Sequence, residues 1–325
     1  MKVLVTGGLG FLGTGVVRRL RAAGHEVLDA DVRPGAAVPL DVTDRAGVDA
    51  AFAAHSPEVV VHLASVVTPG RDSDRAREYA VDVDGSRNVV DACLAHGVRR
   101  IVVSSSGAAY GYHADNPVPL REDDPPRGNP EFAYSHHKRL VEELLAAARD
   151  AHPELEQVVL RIGTILGERV DNQITALFER PRLLAIRGAD SPFVFVWDDD
   201  VAAIVERAVT GPVTGVVNVA GDGALTVAEI AARLGKPVLA VPEPVLRAVL
   251  TVARRLRLTR YGPEQTRFLR YRPVLANDRL TDEFGYRPGY TSGQAFDAWV
   301  AARLRSGAPV TARRSRLRTC PTSRR

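Results

Sequence analysis

The sequence lacks the features that mark disulfide-bonded, secreted and membrane-spanning proteins. Only Cys93 and Cys320 are cysteines among 325 residues, which excludes a disulfide framework. The chain has no apolar run of about 18 residues, so no membrane-spanning helix is predicted. Its first apolar run ends at once in glycines, unlike the longer apolar core of a signal peptide. These absences favour the cytoplasm with no membrane partner, and no residue pattern predicts a metal site.

The end of the chain contains arginines but no acidic residues, so the net charge of the whole chain differs in sign from that of its body. The formal charge is +4, but six arginines follow Arg305 without an acid, and removing them leaves −2 for the body. A nucleic-acid-binding fold therefore has no support from charge, and no nucleic-acid partner is expected. Residues 306–325 are predicted to be a disordered, arginine-rich tail.

A glycine cluster directly follows the first predicted strand. Gly7, Gly10 and Gly13 stand at three-residue spacing between an apolar run and a helical pattern. Glycine suits a sharp strand-to-helix turn, a close approach of the backbone to a pyrophosphate, and tight packing of helix on strand. The free N–H groups at the start of the helix then face the phosphates. The sequence therefore predicts a dinucleotide cradle.

Two later strand ends are suited to hold the rest of a dinucleotide. Asp31 ends the second predicted strand, where a carboxylate accepts hydrogen bonds from the adenosine ribose and repels a 2′-phosphate. NAD is therefore predicted rather than NADP, although Arg33 softens that preference. The predicted strand 59–64 ends in the small Ala64, against which a cofactor can lie. His62 within it is interpreted as a structural histidine.

Strand and helix patterns alternate as far as Arg161, which predicts a doubly wound parallel sheet of the Rossmann type. Residues 1–162 are assigned to this NAD-binding domain, with residues 193–220 returning to it. Residues 163–305 are assigned mainly to a smaller, mixed α/β substrate domain. A basic amphipathic helix over 244–258 is expected to pack on that domain with its arginines in solvent, in preference to membrane or dimer contact.

Three side chains can carry proton-transfer chemistry. Tyr134 and Lys138 are four residues apart in a predicted helix over 132–151, so they share one face. A neighbouring ammonium favours the phenolate form of a tyrosine, which can then exchange a proton with a substrate oxygen. Ser106 follows the end of another strand and can hydrogen-bond the same oxygen.

Taken together, these motifs resemble the extended short-chain dehydrogenases/reductases, in particular the NAD-dependent epimerase/dehydratase family. The resemblance covers residues 1–304 and implies Tyr134 as acid/base, Lys138 as its partner and Ser106 as the hydroxyl that positions the substrate oxygen. It also implies that Asp41 and Val42 contact adenine, and a homodimer is common in the family. The cofactor-binding residues are predicted to be Gly7, Gly10, Phe11, Leu12, Gly13, Asp31, Asp41, Val42, Leu63, Ala64, Ser104, Tyr134 and Lys138.

The chain departs from the family pattern where substrate is bound. Gly107-Ala108 replaces the Asp-Glu pair of members that dehydrate nucleotide sugars, so dehydration is not expected. Phe193 and Val194 stand where nucleotide-sugar epimerases have an arginine that holds the diphosphate, and Thr164 replaces an asparagine. Asp82 also replaces a usual asparagine. Four arginines are possible substitutes for the missing phosphate ligand: Arg182, Arg187, Arg270 and Arg272.

The sequence therefore predicts an NAD-dependent oxidoreductase or epimerase that moves hydride between nicotinamide and a C–OH or C=O carbon. Its small-molecule substrate need not be a nucleotide sugar. The alternative within enzymes is a nucleotide-sugar 4-epimerase similar to UDP-glucose 4-epimerase. The alternative of another class is a non-catalytic dinucleotide sensor, which would need the glycine cradle but not the proton-transfer residues.

Overall fold

The computed structural model of the chain describes residues 1–67, 74–259 and 261–306. Its strands, numbered in chain order, are β1 (Lys2–Thr6), β2 (Glu26–Asp31), β3 (Val38–Pro39), β4 (Val59–His62), β5 (Arg100–Ser106), β6 (Glu156–Ile162), β7 (Thr164–Leu166), β8 (Leu183–Ile186), β9 (Phe195–Trp197), β10 (Gly215–Val219) and β11 (Val238–Val241). The α-helices are α1 (Phe11–Ala22), α2 (Arg45–His55), α3 (Arg75–Tyr79), α4 (Gly85–Ala95), α5 (Ala133–Ala151), α6 (Gln173–Phe178), α7 (Asp198–Thr210), α8 (Val227–Leu234), α9 (Glu243–Arg255), α10 (Gln265–Arg270), α11 (Asp278–Asp282) and α12 (Ser292–Arg305).

Seven of these strands form one parallel sheet in the order β3-β2-β1-β4-β5-β6-β10. The chain proceeds outward from β1 in one direction and then from β4 in the other. The carboxyl ends of β1 and β4 therefore meet at a topological switch point, where doubly wound folds bind their ligands. This sheet confirms the predicted fold class, and β10 joins it next to β6.

The strands alternate their side chains between two apolar layers. Val3 and Val5 of β1 face the cluster built with α1 and α7, whereas Leu4 faces the cluster built with α2, α4 and α5. Both faces of the sheet are covered, as expected for nearly continuous Val/Ile/Leu strands. The central strands are thereby fixed, and with them the residues at their carboxyl ends.

The later part of the chain adds two short parallel strand pairs, β7–β9 and β8–β11. An aromatic cluster lies between them and α12, with Phe178 at its centre in edge contact with Phe195, Phe296 and Trp299. These elements are mixed α/β, as expected. The division of the chain into domains at residue 162 stays a prediction.

Residues 75–95 are helical, with a π-helical turn (Ala80–Asp84) between α3 and α4, a feature that local patterns do not reveal. The helix expected over 244–258 is α9, which packs on the protein through Leu246 and keeps Arg247 and Arg254 exposed, but it leaves most of its apolar side chains in solvent. Among the described residues, no helix is both long and apolar enough to cross a membrane. The predicted tail, apart from Ser306, lies outside the described residues.

Candidate active site

The glycine cluster forms a tight turn between β1 and α1. Gly7 has a φ of 68°, and Gly10 N–H donates to the Gly7 carbonyl oxygen over 2.9 Å. A Cβ on Gly13 would lie only 2.2 Å from that same oxygen, and one on Gly7 would lie 2.9 Å from the amide nitrogen of Ala64. Only glycine fits these places, because backbone occupies the space of a side chain.

The start of α1 fits the pyrophosphate of NAD. Gly10 caps the helix without any side-chain hydrogen bond, and the first turn contains no acid. The N–H groups of Phe11 and Leu12 therefore remain available to an anion at the positive end of the helix dipole. Phe11 is half exposed, and Leu12 packs on the core beneath.

Asp31 lies beside the same turn, at the end of β2. Its buried carboxylate accepts hydrogen bonds from the N–H of Leu9 (3.0 Å) and of Arg33 (3.1 Å). These two contacts orient the carboxylate and leave lone pairs for a ribose diol. The Arg33 guanidinium lies 3.7 Å from Asp31 and donates to the Leu9 carbonyl, so it lies over the glycine turn next to Asp31.

The remaining predicted NAD ligands are distributed around the switch point. Ala64 lies against Gly7, and Leu63 packs partly into the core. Val42 is buried and faces Gly85 of α4, whereas the exposed Asp41 carboxylate accepts hydrogen bonds from Thr43. Asp41 is therefore the more accessible of the two residues expected near adenine.

The predicted proton-transfer residues lie together beyond the carboxyl end of β5. Tyr134 and Ser106 are half-buried and hydrogen-bond each other, while the Lys138 ammonium lies 5.6 Å from the centre of the Tyr134 ring. Lys138 is buried and donates to the Ser104 carbonyl oxygen over 2.8 Å. The arrangement gives one phenol, one hydroxyl and one cation around a shared space.

The environment of these groups sets their protonation. Burial raises the pKa of Tyr134 to about 12, and the negative charge of Asp82 adds to this, although the hydrogen bond with Ser106 opposes it. Burial lowers the pKa of Lys138, while Asp82 and Glu142 counteract it by stabilising the ammonium. At neutral pH, Tyr134 is therefore a phenol.

Asp82 lies in the π-helical turn and connects the cofactor side of the site to α5. Its Oδ1 accepts hydrogen bonds from Ser65 Oγ (2.9 Å) and Val66 N–H (2.8 Å), and its Oδ2 accepts from His137 Nδ1 over 2.9 Å. Burial alone would raise the pKa of this carboxyl, but the bond from His137 and the nearby Lys138 ammonium hold it below its ordinary value. A charged carboxylate thus lies directly behind Lys138.

His62 lies beneath the site as a buried, neutral histidine. Ser86 Oγ donates to a backbone carbonyl, so it accepts from His62 Nε2–H over 3.0 Å, and His62 Nδ1 accepts from the Thr6 hydroxyl over 2.7 Å. Burial lowers its pKa to about 3, with the Lys138 charge acting in the same direction. Both ring nitrogens are satisfied, which agrees with the structural interpretation.

A wall of aromatic rings packs at the start of α5, where Phe132 is the N-cap. Tyr112 packs edge-to-face on Phe132 (5.1 Å between ring centres) and on Phe268 (5.2 Å). The Arg272 guanidinium lies 3.6 Å from the centre of the Phe193 ring and 4.7 Å from that of Phe268. Within the described residues, its Nη1 donates to the Ser191 carbonyl oxygen and its buried Nε has no partner.

A model of the NAD dependent epimerase/dehydratase family matches residues 3–220. The chain belongs to this family. The resemblance stated from the motifs is thereby confirmed, and NAD is the cofactor that the family uses and the cradle fits. The residues that would hold it stay predictions.

Proteins with several different names are similar to the chain. A 3-diazoavenalumate denitrifying reductase from Streptomyces sp. is 31% identical over 308 residues, covering 90% of this chain and 97% of that protein. The UDP-glucose 4-epimerase of Thermus thermophilus, solved in complex with NAD, is 26% identical with a TM-score of 0.70 and coverage of 93% and 98%. An uncharacterized protein of Mycobacterium tuberculosis is 30% identical over 94% of this chain, which spans only 31% of that relative.

The positions that distinguish epimerases and dehydratases within the family are filled by apolar groups. Phe193 and Val194 are buried, and Phe193 pairs through its backbone with Leu225. A Cβ on Gly107 would meet Leu275 at 3.2 Å, so this position has little room for a carboxylate. Arg161 is also engaged, because its guanidinium forms a buried ion pair with Glu142 at 2.8 Å.

Sequence reasoning missed the Asp82–His137 pair and the aromatic wall. In the sequence, Asp82 stands out only as a replacement for asparagine, and no pattern gives His137 a role although it lies between Tyr134 and Lys138. The only local sign of a role for His137 is that it lies in α5 next to Lys138 and three residues after Tyr134. The described residues contain no group of three or more His, Cys, Asp or Glu side chains that could hold a metal ion.

Proposed function

We propose that the protein is an NAD-dependent reductase of a carbonyl group on a small, flat, non-nucleotide substrate. The observation that carries this proposal is the aromatic wall of Tyr112, Phe132 and Phe268, in which Phe132 is the N-cap of the helix that contains Tyr134. Rings at such spacing bind flat apolar groups by edge-to-face and stacked contacts. A sugar diphosphate would instead require several free cations.

Proton transfer would proceed through Tyr134. Bound NADH would supply hydride to the substrate carbon. Tyr134 would donate its proton to the carbonyl oxygen, which Ser106 holds by a hydrogen bond. The raised pKa of Tyr134 keeps it in the phenol form that reduction requires. Lys138, fixed by the Ser104 carbonyl, would then stabilise the phenolate that remains.

Arg272 gives the wall a positive charge. Its guanidinium is stacked between Phe193 and Phe268, so it presents an edge rather than a flexible point charge. One carboxylate or other anionic group on an aromatic carbonyl compound would match it. The similar reductase from Streptomyces matches nearly along its whole length, which supports net reduction as the direction.

A nucleotide-sugar 4-epimerase is the second candidate, favoured by one surface feature. A cleft of about 660 Å³ is lined by Arg187, Pro242, Glu243, Pro244, Arg247 and Arg270. Its three arginines offer positive charge for a diphosphate, although Arg270 is paired with Glu243. The similarity to the Thermus epimerase also supports this candidate. A non-catalytic sensor would not need the proton-transfer residues Ser106, Tyr134 and Lys138.

We also infer a cytoplasmic setting, since NADH is available there and Cys93 is a buried free thiol whose pKa is raised by burial. A homodimer is inferred from the family resemblance alone.

The test is a screen of the purified protein for NADH oxidation at 340 nm with aromatic carbonyl acids and, separately, for interconversion of UDP-sugars by chromatography. The expected result is that the aromatic compounds oxidise NADH and that Arg272→Gln raises their KM at least tenfold. Epimerisation of a UDP-sugar without net NADH consumption would instead establish the second candidate. Activity on neither class would contradict the proposal.

A further inference from the structure

Helix α9 presents an exposed aliphatic stripe. Its side chains Val245, Val249, Val252 and Leu256 follow the spacing i, i+4, i+7 and i+11, which places them on one face, and Leu258 is exposed just beyond the end of the helix. Their exposed fractions are 50, 56, 58, 63 and 77% in this order. A contiguous patch of this kind on a protein surface marks a site of interaction.

The stripe is held outward by contacts on other sides of the helix. Leu246 is buried, and ion pairs join Arg254 to Glu264 (3.2 Å) and Arg270 to Glu243. Pro244 in the first turn favours the start of the helix. The helix is therefore formed and fixed before any partner binds, so binding would require little ordering.

The charges around the stripe favour an anionic partner. Residues 243–258 contain four arginines and one glutamate. Arg255 is one turn from Val252 and Arg257 stands between Leu256 and Leu258, and neither arginine has an acidic partner among the described residues. Long arginine side chains beside an apolar stripe can reach phosphate groups at a membrane surface while their stems cover apolar area.

A second copy of the chain fits this face less well. Two copies meeting here would bring two strongly positive segments together, and like charges oppose association. Four side chains are also far fewer than the roughly 20–30 residues a side of a stable protein interface. The helix is about 20 Å long, which suits a segment lying along a membrane interface rather than across it.

We propose that α9 attaches the protein to the surface of a bilayer that contains anionic lipid, with the aliphatic stripe inserted and Arg255 and Arg257 at the headgroups. This surface is independent of the chemistry at Tyr134. It differs from the expectation, drawn from the sequence, that no membrane partner exists.

The experiment is cosedimentation of the full chain with phosphatidylcholine vesicles containing 30% phosphatidylglycerol, or none, in about 0.1 M salt. Binding to the anionic vesicles is expected, with at least tenfold loss in Val249→Glu/Val252→Glu and about fivefold loss for each of Arg255→Gln and Arg257→Gln. Leu304→Glu changes an exposed leucine on α12 and serves as the matched control that binds like the parent. Far-UV circular dichroism shows whether each variant is folded.

Equal binding of the parent and Val249→Glu/Val252→Glu would overturn the proposal, because the arginine-rich tail would then carry the attachment. Equal binding to both kinds of vesicle would overturn the role of the arginines. Light scattering without lipid tests the other occupant: a dimer that dissociates in Val249→Glu/Val252→Glu would assign the stripe to a second copy.

Discussion

Asp82 and His137 form a buried hydrogen-bonded pair, 2.9 Å between Oδ2 and Nδ1, that joins the π-helical turn to the helix of Tyr134 and Lys138. The other carboxylate oxygen binds the segment after β4 through Ser65 and Val66. The pair therefore connects the cofactor side of the site to its proton-transfer side, and it places a negative charge near Lys138.

Removing that charge should shift the pH dependence of activity. Asp82→Asn keeps the acceptor for Val66 but removes the negative charge that holds the Lys138 ammonium in its charged form. The pKa of Lys138 should fall further, so the basic limb of the kcat/KM profile should move to lower pH. His137→Gln is the matched control, because it weakens the pair and keeps the Asp82 charge. An identical basic limb in Asp82→Asn and the parent would remove Asp82 from this positioning role.

Gly13 should be irreplaceable in the cradle. A methyl group there would meet the Gly7 carbonyl oxygen at 2.2 Å, so Gly13→Ala should lower both thermal stability and NAD affinity, the latter at least tenfold. Gly15 lies in the same helix with open space, since its nearest contact would be 4.0 Å away. Gly15→Ala should therefore bind NAD normally and gain about 0.5–1 kcal/mol from helix propensity. Calorimetric titration and thermal melts measure both effects, and equal behaviour of the two variants would refute the cradle.

Asp31 and Arg33 should act in opposite directions on cofactor choice. Asp31→Ala removes the repulsion of a 2′-phosphate and should narrow the preference for NADH over NADPH. Arg33→Ala removes the cation above the turn and should therefore increase the preference for NADH over NADPH. Fluorescence titrations give both dissociation constants for each variant. If neither ratio changes, the adenosine ribose does not lie at Asp31.

His62 should make the fold sensitive to mild acid. Its pKa is about 3 in the folded chain and about 6.5 when unfolded, so the unfolded state binds more protons between these values. The contribution of His62 to the free energy of unfolding is fully present above pH 6.5. It is lost as the pH falls, and the loss between pH 7 and 4.5 is about 2–3 kcal/mol. Urea unfolding at several pH values should show a flatter dependence in His62→Asn. Equal slopes in His62→Asn and the parent would show that His62 is not buried neutral.

Local spacing explains how much the sequence could predict. Short-range patterns reveal the glycine cradle, Asp31, and the pair of Tyr134 and Lys138, because each lies within one turn, one strand end or one helix. Buried parallel strands also have a clear apolar pattern. The Asp82–His137 contact joins residues 55 positions apart, and Arg272 meets Phe193 across three short strands and several helices. Such contacts depend on tertiary packing. The exposure of α9 could not be predicted either, because an amphipathic pattern does not tell which partner covers its apolar face.

Substitution of Tyr134 tests the account most directly. The phenol is the proton donor in the proposed reduction, and general acid catalysis of this kind contributes about 10²–10⁴-fold. Tyr290→Phe, at an exposed tyrosine beside Trp197, is the control and should behave like the parent. With the aromatic carbonyl substrate found in the screen, Tyr134→Phe should lower the kcat of NADH oxidation by at least about 100-fold while the dissociation constant of NADH changes less than about threefold. Unchanged kcat in Tyr134→Phe, with NADH bound normally, would contradict the proposed role of Tyr134 and with it the proposed mechanism.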